Sequence, residues 1–154
     1  MPSRTLLFLS LFLLAALPAR AQEPMPGAES GRSFCQQSVS FRLAHRSRVA
    51  KPYRRFVGIW GDGAWDPRTC AALIVEDVRP NGIASIVYVY GPMGPQQPGP
   101  GGVLHGTGVI RDGALKFEDA EGDEFTFRPG IVDLNGEMVT AQGQSYRSTF
   151  KESF

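Results

Sequence analysis

The chain has little of what metalloenzymes and hydrolases need. Its two histidines, His45 and His105, have no carboxylate or cysteine partner at the spacing of metal ligands, which disfavours a zinc site. There is no Gly-x-Ser-x-Gly motif and no Cys/His pair, so acyl transfer has no visible support. The acidic residues around Asp62 and Asp66, and around Asp123, do not have the spacing of an EF-hand loop. We therefore expect no metal, no cofactor and no catalytic residues.

Long apolar runs are also missing, except near the start of the chain. Arg4 precedes an apolar-dominated stretch over residues 6–17, and Ala19-Arg20-Ala21 follows as a small-x-small cleavage site. About a dozen residues are too few for a membrane-spanning helix, which needs roughly 20. The pattern predicts a cleaved secretory signal over residues 1–21, a secreted or periplasmic mature chain and no stable membrane span. An uncleaved anchor is the alternative.

Cysteine is scarce: only Cys35 and Cys70 are present. In an oxidising compartment, an even and minimal count favours one intramolecular disulfide. Such a bridge would close a loop of about 36 residues and stabilise the fold by roughly 3–4 kcal/mol in the chain-entropy model. Two free thiols are the alternative, which export disfavours.

Charge is distributed unevenly, although the total is close to zero. Residues 22–55 hold seven basic and two acidic residues, whereas residues 56–154 hold seven basic and thirteen acidic ones. Residues 22–34 are rich in Pro, Gly, Ser and charge, which predicts a flexible linker. The basic segment at 35–55 either neutralises the following domain internally or, through residues 42–55, holds a protein or an anionic surface. Because its bases are scattered and no aromatic ladder accompanies them, we expect no nucleic-acid partner.

The basic segment fits two secondary structures. Val39, Phe41 and Leu43 alternate as in an edge strand, while Val39, Leu43 and Ala50 would share one side of a helix. In either case a disulfide would tether the segment to the strand predicted at residue 70.

Short β-strands separated by glycine turns make up the rest of the chain. Asn-Gly and Asp-Gly suit tight type I′ turns, and four hairpin dipeptides fall between apolar segments: Asn81-Gly82, Asp112-Gly113, Asn135-Gly136 and Gln142-Gly143. Closure removes exposed strand edges, so we predict an all-β, up-and-down antiparallel barrel of eight or nine short strands over residues 56–154, rather than a sandwich. The strands are expected near residues 56–60, 70–77, 83–90, 103–111, 114–119, 123–128, 131–134, 137–141 and 145–150.

Two-residue turns also predict which side chains face inward, because opposed residues share a face of the sheet. Turns at Asn81-Gly82, Asp112-Gly113 and Gln142-Gly143 pair Leu73 with Tyr90, Ile110 with Leu115, and Val139 with Tyr146. The predicted interior is Leu73, Val75, Ile86, Tyr88, Tyr90, Leu104, Ile110, Leu115, Phe117, Phe125, Phe127, Val139, Tyr146 and Phe150.

Gly58-Ile59-Trp60, followed by an antiparallel meander, resembles the lipocalins and related calycin barrels. In that superfamily the tryptophan packs at the closed end of the barrel under a basic side chain from the last strand. The resemblance therefore implies structural roles for Gly58, Trp60 and Arg147. The wider string from Trp60 to Asp66, followed by Cys70 and residues 73–76, also resembles small exported β-domains of bacteria.

The expected function is non-enzymatic binding of a small apolar or amphipathic ligand in the barrel. Gly106 and Gly108 are expected to face inward and leave space, lined by the hydroxyls of the candidate ligand-binding residues Tyr88, Tyr90, Tyr146 and Ser148. Met93, in the Gly/Pro-rich loop at 91–102, is the fifth candidate. The alternative is a filled-core structural or protein-interaction module that uses this loop or the basic segment. An interior cavity of several hundred Å³ would favour the first function, and a filled interior the second.

Overall fold

The computed structural model describes residues 29–97 and 99–154, and the predicted signal over 1–21 and positions 22–28 of the predicted linker lie outside these residues. Eight consecutive antiparallel strands form a closed barrel in which the last strand pairs with the first. The all-β, up-and-down barrel is therefore confirmed. A separate two-stranded hairpin precedes it. The strands are β1 (Ser30–Phe34), β2 (Gln37–Phe41), β3 (Gly58–Asp66), β4 (Thr69–Val78), β5 (Ile83–Pro92), β6 (Gly102–Arg111), β7 (Ala114–Glu118), β8 (Glu124–Pro129), β9 (Asp133–Val139) and β10 (Ser145–Glu152).

The β1–β2 hairpin packs on the outside of the barrel wall. Residues 71–75 of β4 are buried on both faces of the sheet, so the outer face of this strand needs an apolar cover. Val39 and Phe41 of β2 supply it, forming a second core with side chains of β3, β4 and β5. The edge-strand interpretation of residues 37–41 is thus correct and the helical one is wrong. The flexible linker predicted up to residue 34 is wrong for residues 30–34, which pair with β2.

A disulfide fixes the turn of this hairpin to the barrel, as predicted. Cys35 and Gln36 form the turn, both with positive φ (49° and 64°), and the Cα atoms of Cys35 and Cys70 lie 5.5 Å apart. The Gln36 side chain also donates a hydrogen bond to the carbonyl of Pro92 at 3.2 Å. The hairpin is therefore held at its turn as well as along its apolar face.

Two of the predicted turns differ from the structure. Asn135 and Gly136 lie inside β9, which is one strand rather than two. The loop around Gln142-Gly143 is longer than two residues, so Tyr146 pairs with Met138 instead of Val139. This one-residue slip puts Met138 inward and removes Val139 from the core, because side chains alternate along a strand.

The other two turns keep the predicted faces. The pairing of Ile110 with Leu115 around Asp112-Gly113 is confirmed. Beyond Asn81-Gly82, Leu73 pairs with Tyr88 rather than Tyr90, a shift of two residues that leaves the inward face unchanged. The other predicted interior residues do belong to the core or pack against it; Tyr90, Leu104 and Tyr146 are only partly buried.

An aromatic cluster fills the middle of the barrel. The ring of Trp65 lies 5.9 Å from Phe125, 6.1 Å from Phe127 and 5.3 Å from Phe150. Glycine makes room for these rings. A methyl group at residue 136 would lie 2.8 Å from Phe150 and 2.9 Å from both Phe127 and Trp65. Gly136 therefore serves packing and not a turn.

Gly136→Ala should destabilise the protein, because the new methyl group would force the packed rings apart. We expect the free energy of unfolding to fall by about 1–3 kcal/mol, the usual cost of overpacking a core. Urea denaturation followed by near-UV circular dichroism measures it. Gly94→Ala is the control, because a methyl group there has no neighbour within 4 Å. Equal stability of the two variants would contradict the packing role of Gly136.

Candidate functional site

A cavity of about 360 Å³ opens to solvent at the end of the barrel where β3, β5, β7 and β9 finish. We call it the cup. Its deepest lining side chains are Trp65, Tyr88 and Phe125, all of which are buried. The barrel interior is thus filled below the aromatic cluster and hollow above it.

The floor of the cup is held by a hydrogen bond between two aromatic side chains. Trp65 Nε1 donates to the hydroxyl oxygen of Tyr88 at 2.7 Å. The Tyr88 ring also packs 4.8 Å from Phe125 and 5.7 Å from Phe117. Burial raises the pKa of Tyr88 above that of an ordinary tyrosine, and the nearby carboxylates of Asp119 and Asp123 act in the same direction. The hydroxyl is consequently neutral at physiological pH.

The wall of the cup consists of half-buried side chains. Tyr90, Met138 and Tyr146 line it and pack against the core below. The Tyr90 ring stacks on Tyr88 with 6.0 Å between ring centroids. The Tyr146 hydroxyl donates to the side-chain oxygen of Gln144 at 3.1 Å. The wall thus presents two aromatic side chains and a thioether to the cavity.

Carboxylates form the rim. Asp66, Asp119, Glu121 and Asp123 are among the lining residues, with the hydroxyls of Thr69 and Thr140 between them. None of the lining residues in the described part of the chain is basic. The cup therefore combines an apolar interior with an acidic mouth.

Backbone hydrogen bonds fix three of these carboxylates. Asp66 Oδ1 accepts from the amides of Arg68 and Thr69, both at 2.7 Å, and the Arg68 amide is the main reason why the pKa of Asp66 lies below its usual value. Asp119 Oδ1 accepts from the amides of Glu121 and Asp123, at 3.1 and 2.9 Å. Asp123 Oδ1 accepts from the amide of Ala141 at 3.0 Å. The local turns hold these charges in place without any ligand.

Three of the five predicted ligand-binding residues line the cup: Tyr88, Tyr90 and Tyr146. Ser148 does not, because its hydroxyl accepts a hydrogen bond from the Ala64 amide at 2.8 Å. Met93 does not either; it is 48% exposed in the Gly/Pro-rich loop, whereas Pro100 of that loop does reach the cup.

The space expected beside Gly108 is also missing. A methyl group at residue 108 would lie 2.7 Å from Leu115 Cδ1, so Leu115 fills this part of the interior. The hollow instead comes from the end of the barrel above Trp65. Sequence reasoning missed Trp65 because β3 continues to Asp66, past the predicted end at residue 60, through two irregularities in its pairing with β4.

At the opposite, closed end, Trp60 is buried and its Nε1 donates to the Phe56 carbonyl at 2.8 Å. The role that the resemblance implied for Arg147 is wrong. Its side chain is 84% exposed and lies 3.4 Å from Glu137 on the outside of the barrel. Arg46 and Arg55 instead share a hollow with Trp60.

Arg46 connects the basic segment to the closed end. It donates to the Val57 carbonyl at 2.7 Å and forms a salt bridge with Glu152. Its guanidinium also lies beside Gly58, whose φ of 152° is a backbone conformation that residues with a side chain rarely adopt, which explains the glycine. Among the described residues, this is the one salt bridge between the basic segment and an acid of the barrel.

Comparison with known proteins finds no matching family model, no matching curated protein and no matching solved structure. Within residues 29–97 and 99–154, no helix has the length and apolar character to cross a membrane. In the same part of the chain, no three His, Cys, Asp or Glu side chains are grouped as metal ligands.

Tyr88→Phe tests how much the hydrogen bond between Trp65 and Tyr88 stabilises the protein. The variant leaves the buried Trp65 N–H without its acceptor, so we expect the free energy of unfolding at neutral pH to fall by about 1–3 kcal/mol. Because the pKa of Tyr88 is raised in the folded state, its stabilisation is complete below the unfolded tyrosine pKa of about 10 and is lost as the pH rises above it.

Urea denaturation of wild type and Tyr88→Phe between pH 7 and pH 11 measures their free energies of unfolding. The difference between the free energies of unfolding of wild type and Tyr88→Phe should become smaller above about pH 10. Tyr146→Phe is the control, since that hydroxyl is bonded only to an exposed glutamine. A difference in the free energy of unfolding that stays constant with pH would contradict the raised pKa of Tyr88.

Proposed function

We propose that the protein is a secreted or periplasmic, non-enzymatic binding protein whose cup takes one small amphipathic molecule. The single observation that carries the proposal is the cavity of about 360 Å³ with an aromatic floor and a polar mouth. Such a site removes an apolar body from water while the polar groups at its mouth orient the ligand.

The apolar surface that a ligand buries in the cup determines its expected affinity. A ligand that buries about 200 Å² of apolar surface gains roughly 5 kcal/mol at about 25 cal/mol per Å², before the cost of immobilisation. A gain of 5 kcal/mol corresponds to a dissociation constant of about 0.2 mM, and the cost of immobilisation moves the expected constant into the millimolar range. The proposed export fits the disulfide between Cys35 and Cys70, since such bridges persist in oxidising compartments.

A second candidate function is supported by the closed end. Ile131 and Val132, in the loop between β8 and β9, are 96% and 77% exposed. Arg55 donates to the carbonyl of Gly130 in the same loop, and Arg46 lines the same hollow, which also contains Asp133 and Glu152, the salt-bridge partner of Arg46. Apolar side chains beside basic ones are typical of protein surfaces that bind to membranes containing anionic lipid. We propose contact with an anionic membrane surface here, through this loop and residues 42–55.

Binding in the cup can be followed through the two tryptophans, because Trp65 lies at the floor of the cup and Trp60 lies at the closed end of the barrel. Adding 1-octanol should shift the indole N–H signal of Trp65 in a ¹H–¹⁵N NMR spectrum and leave that of Trp60 unchanged. Tyr90→Ala, which removes part of the wall and spares the buried Tyr88, should weaken binding about tenfold, or about 1.4 kcal/mol.

Tyr53→Ala, at the closed end, is the matched control and should bind octanol as wild type does. If Trp60 and Trp65 shift together, or if Tyr90→Ala binds with unchanged affinity, octanol is not in the cup.

Sedimentation with lipid vesicles tests the second candidate. Wild type should sediment with vesicles that contain phosphatidylglycerol and not with pure phosphatidylcholine. The double variant Ile131→Ser/Val132→Ser should lose about 3–6 kcal/mol of this binding, because burial of each aliphatic side chain contributes about 1.5–3 kcal/mol. Met93→Ser, an exposed apolar residue at the open end, is the control; if it weakens sedimentation as much, the closed end is not the contact.

A further inference from the structure

We infer that the cup selects a cationic amphipath: an organic ammonium or guanidinium group on a short apolar or aromatic body. This inference rests on the proposed function, since it names the class of ligand for the same cavity. It combines the acidity of the mouth, the fixed position of the carboxylates and the aromatic side chains that line the cavity just below them.

The charges at the mouth favour a cation. Asp119, Glu121 and Asp123 lie together in and beside the loop between β7 and β8, and Asp66 lies across the cup. Arg68, in the turn after β3, acts on Asp66 and offsets that carboxylate in part. No lining residue offsets the three carboxylates of the β7–β8 loop. An anionic head group would therefore meet uncompensated negative charge, whereas an ammonium would meet partners.

The carboxylates are already held in their orientation before a ligand binds. In the described part of the chain, the backbone amides that donate to Asp119 and Asp123 all use Oδ1 and leave Oδ2 to a ligand, whereas Asp66 is also bonded by the side chain of Thr69. Their orientation costs nothing further on binding, because the backbone has already fixed it. Asp119 and Asp123 are also only partly buried, so a cation at the mouth keeps some of its water.

Aromatic side chains continue the cation site into the cavity. Tyr90 and Tyr146 line the wall beneath the rim, and the hydroxyl of Tyr146 is already bonded to Gln144. A cation over the face of a tyrosine is attracted by the ring quadrupole. The apolar part of the ligand would then extend toward Trp65 and Phe125, and its charge would stay between the tyrosines and the carboxylates.

Three probes that share one tail test the inference: octylammonium, 1-octanol and octanoate, each titrated below its micelle concentration against the full mature chain. We expect octylammonium to bind about tenfold more tightly than octanol, the sum of several exposed ion pairs, and octanoate to bind more weakly than octanol. The preference should shrink as salt is added, because these charges are partly exposed.

The double variant Asp119→Asn/Asp123→Asn removes two charges and keeps the side-chain oxygens that accept the turn hydrogen bonds. It should reduce the ratio of octanol to octylammonium dissociation constants by about fourfold or more. Asp112→Asn removes a charge at the closed end, in a turn where φ is 50°, and should keep the full preference.

The outcomes separate the two proposals. If none of the three probes shifts the Trp65 signal, the proposed function fails and this inference fails with it. If octanol or octanoate binds the cup as tightly as octylammonium, or if Asp119→Asn/Asp123→Asn keeps the wild-type preference, the cup is a binding site without selectivity for cations, and only this inference is overturned.

Discussion

The position of Trp65 decides which part of this barrel is solid and which part is hollow. Its ring packs on Phe125, Phe127 and Phe150 in space left by the glycine at 136, so that the lower barrel is filled. Above the ring, the side chains of Tyr90, Met138 and Tyr146 line the wall and leave the middle open, and the cup begins. The same residue donates the hydrogen bond that fixes Tyr88. Core packing and the candidate site thus share one side chain, which means that the two interior hypotheses, filled and hollow, describe different levels of the same barrel.

A second constraint comes from the apolar character of the barrel wall itself. Strands that are buried on both faces cannot form a barrel in water unless something covers them outside. The β1–β2 hairpin is that cover, and the disulfide from Cys35 to Cys70 holds its turn in place. The segment after the hairpin then closes the lower end, where Val49, Phe56 and Val57 join the main core. The N-terminal part of the described chain is therefore an integral part of the fold rather than an appendage.

The two ends of the molecule differ in charge, and this difference organises both proposed functions. The open end carries carboxylates around an aromatic cavity, whereas the closed end carries Arg46 and Arg55 beside an exposed apolar loop. An arrangement of this kind would let a molecule rest on an anionic surface by one end and present the cup at the other. Because backbone hydrogen bonds fix the rim carboxylates, the acidity of the mouth is a property of the fold and not of mobile side chains.

The amino-acid sequence determined the fold class, the disulfide and most of the inward-facing residues, because alternation and turn chemistry are local properties that survive a shift of two residues. Tyr88 and Tyr90 could be placed at the site for that reason. Met138 could not, since the loop around Gln142-Gly143 is longer than its dipeptide suggests and a slip of one residue inverts the strand. Gly136 could not be interpreted either, because a glycine that makes room for aromatic rings looks the same in sequence as a glycine in a turn. Only the closed barrel brought the β7–β8 carboxylates over Trp65, since these residues meet through the order and stagger of strands distant in the chain.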